Sequence, residues 1–205
     1  IFDNIKSYKR CSDYNSVLIL DKNNSLYIYG ENIFGIKINN GEPILDSPIK
    51  IADNVKEYNT NFYLTMDNEL FFINETISEP VKVADNIDKV YTGDIISYVN
   101  NIPNDMVITS NGESYLLIPI IDANSATVSF EKKYITNKKI KDIMIYITAS
   151  VNSNYELIYL TEDNELYKVV YTDRNDIKLT ELKNIYVDNH VKEIKKFDFS
   201  YIGSI

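Results

Sequence analysis

The chain has 205 residues, 44% of them hydrophobic and 25% charged, with a formal net charge of −9. That balance belongs to folded chains, and a surface this acidic repels phosphate backbones, so nucleic acid is not an expected partner. One cysteine, Cys11, excludes an intrachain disulfide, and no apolar run approaches the roughly 18–20 residues of a bilayer-spanning helix.

Tyrosine occurs 17 times and phenylalanine 8 times, against no tryptophan. Tyr, Ile and Val favour strands, whereas Asn and Asp favour turns. No long apolar pattern of helical period is present. The composition predicts an all-β protein.

Read in chain order, two short elements alternate. The chain opens on Asp3-Asn4-Ile5-Lys6, and the same phase returns as Asp53-Asn54-Val55-Lys56. The segment Ser47-Pro48-Ile49-Lys50-Ile51-Ala52-Asp53-Asn54-Val55 recurs as Glu79-Pro80-Val81-Lys82-Val83-Ala84-Asp85-Asn86-Ile87, and more loosely as Glu181–Val191. Between these marks lies Leu64-Thr65-Met66-Asp67-Asn68-Glu69-Leu70-Phe71, which returns as Leu160-Thr161-Glu162-Asp163-Asn164-Glu165-Leu166-Tyr167. Looser copies run Leu20–Tyr27 and Ile108–Tyr115.

Each copy of the second element predicts a hairpin. Apolar runs flank Asn23-Asn24, Asp67-Asn68, Asn111-Gly112 and Asp163-Asn164. Two-residue type I′ turns need positive φ at both central residues, which Asn, Asp and Gly tolerate best. Units then start near residues 5, 55, 87, 140 and 191, each with about four strands. Four strands per repeat of roughly 40–50 residues is the size of a propeller blade. The expectation is one repeat domain over residues 1–205, with four complete blades and a partial fifth.

The first unit reads Ile19-Leu20-Asp21-Lys22-Asn23-Asn24-Ser25-Leu26-Tyr27-Ile28-Tyr29-Gly30-Glu31-Asn32-Ile33-Phe34-Gly35. It resembles the repeat of the RCC1 (regulator of chromosome condensation) family, with Tyr29 in place of the family's Trp. Gly30, Asn32 and Gly35 match, as do the later prolines Pro48 and Pro80. Ile36 and Lys37 depart from the family's Gln-Leu. The resemblance implies antiparallel four-stranded blades. Family members close seven of them, so a fragment of a longer propeller, a smaller or open assembly, and unrecognised degenerate blades are the open outcomes. The chain opens on Ile1 rather than Met, so an excised domain or a processed product is expected.

Catalytic and metal chemistry find little support. His190 is the only histidine and reads as a solvated turn residue. Cys11 lies in Lys9-Arg10-Cys11-Ser12-Asp13 and reads as incidental rather than as a reactive thiol. Asp21–Ser25 begins like a calcium loop but has Leu26 and Asn32 where Gly and Glu belong. Glu162, Asp163 and Glu165 cluster on a solvated hairpin tip, a poor setting for a raised carboxyl pKa. No catalytic residue, cofactor or metal is expected, and the chain is not expected to be an enzyme.

Tyr27, Tyr29, Tyr63, Tyr159 and Tyr167 read as packing between blades. Three long insertions, Ile33–Pro48, Ile118–Lys133 and Tyr171–Thr180, are the expected recognition loops. Phe34, Phe130, Arg174 and Asp176 are their candidate partner-binding residues. The predicted function is a non-catalytic protein-binding module with no membrane insertion. The alternatives are a carbohydrate-binding or glycosidase propeller, a guanine-nucleotide exchange scaffold for a small GTPase, and a structural spacer. The Asn-, Lys-, Ile- and Asp-rich composition points to an AT-rich, bacterial genome, and a secreted or cell-surface location is the expectation carried beside it.

Overall fold

The computed structural model describes residues 4–11, 15–31, 44–73, 79–92, 106–122, 127–147, 155–171 and 183–195. All regular structure among them is strand. The first four-stranded sheet holds β1 (Ile5–Arg10), β2 (Ser16–Asp21), β3 (Leu26–Glu31) and β4 (Ile44–Ala52). The second holds β5 (Val55–Asn59), β6 (Phe62–Thr65), β7 (Leu70–Phe72) and β8 (Val81–Ala84). The third holds β9 (Lys89–Thr92), β10 (Met106–Ser110), β11 (Glu113–Asp122) and β12 (Thr127–Thr136). The fourth holds β13 (Ile140–Ile147), β14 (Tyr155–Thr161), β15 (Leu166–Tyr171) and β16 (Lys183–Asp188). Each is an antiparallel meander in chain order, which is the blade of a β-propeller.

The blades hide apolar faces against one another. Leu18, Leu20, Leu26 and Ile28 of the first blade pack on Val55, Tyr58 and Tyr63 of the second. Phe62, Leu64 and Leu70 meet Val90, Ile108 and Leu117 of the third. Val107 and Leu116 then meet Leu157, Tyr159 and Val169 of the fourth. Burying one such side chain contributes about 1.5–3 kcal/mol, and no single blade can bury both its faces. Tyr159 is fully buried, and its hydroxyl pairs with the Asn184 side chain at 2.7–3.0 Å. That pairing removes the cost of a buried unbonded O–H.

The tyrosines divide. Tyr63 stacks on Phe71 at 5.0 Å, and Tyr159 stacks on Tyr167 at 5.1 Å, both inside blade interfaces. Tyr29, on the first blade, is 44% exposed.

The turns correct the sequence expectation in one respect. Only Asn111-Gly112 has positive φ at both residues, with Ser110 paired to Glu113, as a two-residue loop requires. At the other three sites only the second residue is left-handed: Asn24, Asn68 and Asn164. Asn23, Asp67 and Asp163 are not. Asn24 N–H donates to Asp21 O, and Asp21 N–H to Ser25 O; the pairs Asn68–Thr65 and Thr65–Glu69, and Asn164–Thr161 and Thr161–Glu165, repeat this at 2.9–3.0 Å. These are three-residue loops ending in a left-handed residue. A side-chain oxygen at the loop entrance favours the longer form. Asp21 accepts the N–H groups of Asn23 and Ser25, while the Thr65 and Thr161 hydroxyls accept those of Glu69 and Glu165. The Asp21 carboxylate is thereby occupied by its own turn, which explains the superficial calcium-loop pattern.

The loop type carries a second consequence. In the three blades with longer loops the first strand bulges, at Lys6, Lys56 and Lys141, between Ile5 and Ser7, Val55 and Glu57, and Ile140 and Asp142. The third blade has the shorter loop and a regular β9–β10 register. An extra residue in the hairpin is thus matched by an extra residue in the neighbouring strand.

The Asp-Asn marks are the joints between blades. Asn54, Asn86 and His190 are left-handed there. The residue after each donates its N–H to the hairpin-tip carbonyl of the preceding blade: Val55 to Asn24, Ile87 to Asn68 and Val191 to Asn164, at 2.8–3.0 Å. His190 therefore stands at the joint where other units place Asn, and it is exposed. The expected fifth blade shows its joint, but Val191–Lys195 carry no strand, and the rest of that unit lies outside the described residues.

Gly30 shows why the signature glycine is needed. Its φ is +98°, and a Cβ there would overlap the backbone carbonyl of Asn15. Gly30→Ala is expected to lower unfolding stability by more than about 2 kcal/mol, through combined strain and clash. Urea unfolding followed by far-UV circular dichroism checks this, and an unchanged midpoint would contradict it.

Candidate functional site

The first strands of successive blades touch in series. Ser7 Oγ and Tyr58 Oη lie 3.0 Å apart between β1 and β5. Asn59 Nδ2 donates to Thr92 Oγ1 at 3.0 Å between β5 and β9. Tyr91 Oη donates to the Ile140 carbonyl at 3.2 Å between β9 and β13. Side-chain bonds thus link the first strands of neighbouring blades in a row, and the last strands β8 and β12 also contact one another.

Between β1, β5 and β9 lies an open groove of about 490 Å³. Its polar lining is Lys6, Ser7, Lys9, Lys56, Glu57, Asn59 and Thr92, around the Tyr58 ring. Lys6 Nζ donates to Asn24 Oδ1 at 2.7 Å, and Lys56 Nζ to Asn68 Oδ1 at 3.3 Å and to the Asp88 carbonyl at 3.5 Å. Lys9 Nζ sits 5.5 Å from the centroid of the Tyr58 ring. All these acceptors are neutral. Among the described residues no carboxylate comes within ion-pair distance of Lys6, Lys9 or Lys56. Lys141 repeats the arrangement in the fourth blade, bonding Asn164 Oδ1 at 3.4 Å and the Lys192 carbonyl at 2.8 Å.

Other lysines form ion pairs. Lys50 pairs with Asp53, Lys82 with Glu69 and Asp85, and Lys138 with Glu165. The sequence shows no basic run because the groove cations come singly, one or a few per strand. The tertiary structure gathers them on one face of an acidic protein. Among the described residues that line the groove, the carboxylate is Glu57.

The sequence-derived recognition residues fare differently. Phe34, Arg174 and Asp176 lie outside the described residues. Phe130 does not sit on a loop: Ile118–Lys133 is largely strand, in β11 and β12. Its ring meets Phe72 edge-on at 5.2 Å and packs near Val81 and Val83. An alternating apolar stretch in two long paired strands reaches the neighbouring blade. Tyr58, Asn59 and Thr92 were not singled out in the sequence, and their only signal was position at the start of each unit.

Cys11 is 2% exposed, and burial pushes its thiol up. Among the described residues no helix is long and apolar enough to cross a membrane.

Fold and geometry define an arc of four propeller blades whose first strands carry a cation-lined groove. The fold is that of an RCC1-like β-propeller. Prp20p from Saccharomyces cerevisiae, studied for binding to Gsp1p and histones, superposes with a TM-score of 0.52 at 15% identity, over 93% of this chain and 52% of that one. Yeast RCC1 (Prp20) bound to Kap60 gives 0.45 at 16%, over 80% and 45%. The N-terminal domain of Nup159 gives 0.38 at 13%, over 84% and 51%. The chain spans about half the length of these structures. No family model and no curated protein matches the sequence.

Two outcomes follow. Native Cys11 should resist iodoacetamide until the chain unfolds, by mass spectrometry; rapid labelling of folded protein would contradict its burial. Lys50 and then Ser25 hold the Asp53 carboxyl below its ordinary value, and Lys138 and then Tyr167 do the same for Glu165. A folded pKa below the unfolded one gives stability that is complete above the unfolded value and lost as pH falls through the folded value. Glu165→Gln should therefore lower the urea midpoint modestly at pH 7, flatten its acid limb and converge with wild type once Glu165 is protonated. A parallel acid limb in the variant would contradict the ion pair.

Proposed function

We propose that this chain is a non-catalytic protein-binding module that receives its partner in the groove along β1, β5 and β9. The observation that supports it is the composite lining: three blades supply cations and hydrogen-bonding groups to one open concavity. Rigid strands position such groups better than loops do, which lowers the ordering cost of binding. The residues Phe34, Arg174 and Asp176 are proposed as additional contacts from the long insertions.

The test uses Ser7→Trp, which fills the groove without changing its charge. Ser7 is exposed on β1, so the variant should fold, as circular dichroism verifies. Wild-type protein immobilised as bait should enrich a partner protein that Ser7→Trp loses. Hydrogen exchange of the complex should show protection in β1, β5 and β9. Equal retention by Ser7→Trp, with no protection there, would refute the groove.

A small GTPase is a second reading of the partner, favoured by the fold shared with Prp20p. A nucleotide-release assay discriminates, since an exchange scaffold must accelerate release.

A further inference from the structure

We infer that the groove selects an extended, carboxylate-rich peptide segment, with Lys9 as its main specificity residue. This rests on the groove being the protein-binding surface. The inference comes from three cations gathered in one concavity of an acidic chain. Lys50, Lys82 and Lys138 have carboxylate partners at 2.5–2.8 Å, whereas Lys89 and Lys141 meet a ring face and neutral oxygens. Among the described residues the groove cations are of the second kind: Lys6 and Lys56 meet amide and peptide oxygens, and Lys9 meets a ring face. A neutral acceptor fixes an ammonium in place and leaves its charge uncompensated. Charge-assisted bonds to an incoming carboxylate are stronger than the neutral bonds already present.

The placement recurs. Lys6, Lys56 and Lys141 occupy equivalent bulges, and bulges re-aim side chains. Each ammonium is turned toward a hairpin-tip Asn, and those of Lys56 and Lys141 also reach the backbone of the next unit. These cations thus recur on the first strands of the first, second and fourth blades. Lys6 and Lys56 are held by these bonds. Among the described residues Lys9 contacts the Tyr58 ring, without the hydrogen bonds that hold Lys6 and Lys56, and it is exposed, so it is the groove cation best placed to reach a ligand. Ser7, Asn59 and Thr92 offer further hydrogen bonds beside it.

An acidic peptide suits this groove better than nucleic acid. A long phosphate chain leaving the groove would run over a protein of net charge −9, and the Tyr58 ring is 7% exposed, so it offers no platform for base stacking. A short carboxylate run needs only the local field.

Fluorescence anisotropy with fluorescein-labelled oligoglutamate tests this, against oligoglutamine and oligo(dT) of equal length. Wild-type protein should bind oligoglutamate saturably and oligoglutamine not at all. Affinity should fall by about tenfold in Lys9→Glu and less in Lys9→Gln. It should also weaken as NaCl rises, because exposed charges are screened. Lys195→Glu, away from the groove, should bind as wild type. No saturable binding, equal binding by Lys9→Glu, or tighter binding of oligo(dT) would each overturn the inference. If Ser7→Trp still abolishes capture of a protein partner while oligoglutamate fails to bind, the groove stands and only its acidic specificity falls.

Discussion

The peptide N–H of Val55 donates to the carbonyl of Asn24 at 2.8 Å, and Ile87 and Val191 do the same to Asn68 and Asn164. This bond ties the start of each unit to the hairpin tip of the one before. It needs two left-handed residues at once, one at the tip and one at the joint. Such a backbone costs an ordinary side chain about 1–2 kcal/mol, and Asn and Gly far less. The alternation of Asp-Asn-Val with Asp-Asn-Glu-Leu along the chain is the imprint of this contact. Once the tip is fixed, the apolar faces of adjacent blades are held in register, and the three interface clusters can form.

The same geometry positions the chemistry. A three-residue hairpin loop requires a compensating bulge in the first strand, and the bulge residue is lysine in three blades. The tip Asn that satisfies the joint through its carbonyl also accepts the lysine through its side chain. Backbone and side chain of one residue thus serve packing and charge placement together. The third blade, with Asn111-Gly112 and no bulge, has neither the lysine nor the tip bond. The exception supports the coupling, because loop length, bulge and lysine are absent together.

The first strands explain how an acidic protein presents a cationic groove. Carboxylates on other strands and at the joints pair with lysines there, as in Lys82 with Glu69 and Asp85. The first strands carry Lys6, Lys9, Arg10, Lys56, Lys89 and Lys141 against Glu57 and Asp142. Net charge is therefore a poor guide to the local field, which is set by what lies within a Debye length of about 10 Å.

The sequence alone determined the repeat, the four-stranded blades and the positions of the turns. It could do so because turn chemistry and strand alternation are local, and both recur. It misjudged Asn23, Asp67 and Asp163, since loop length depends on whether Asp21, Thr65 or Thr161 hydrogen-bonds across the loop. It took Ile118–Lys133 for a loop, since only pairing across β11 and β12 shows why Phe130 turns to Phe72. The groove was decided by tertiary structure: Lys6, Tyr58 and Thr92 lie in three different units, and only the stacking of blades brings their strands side by side.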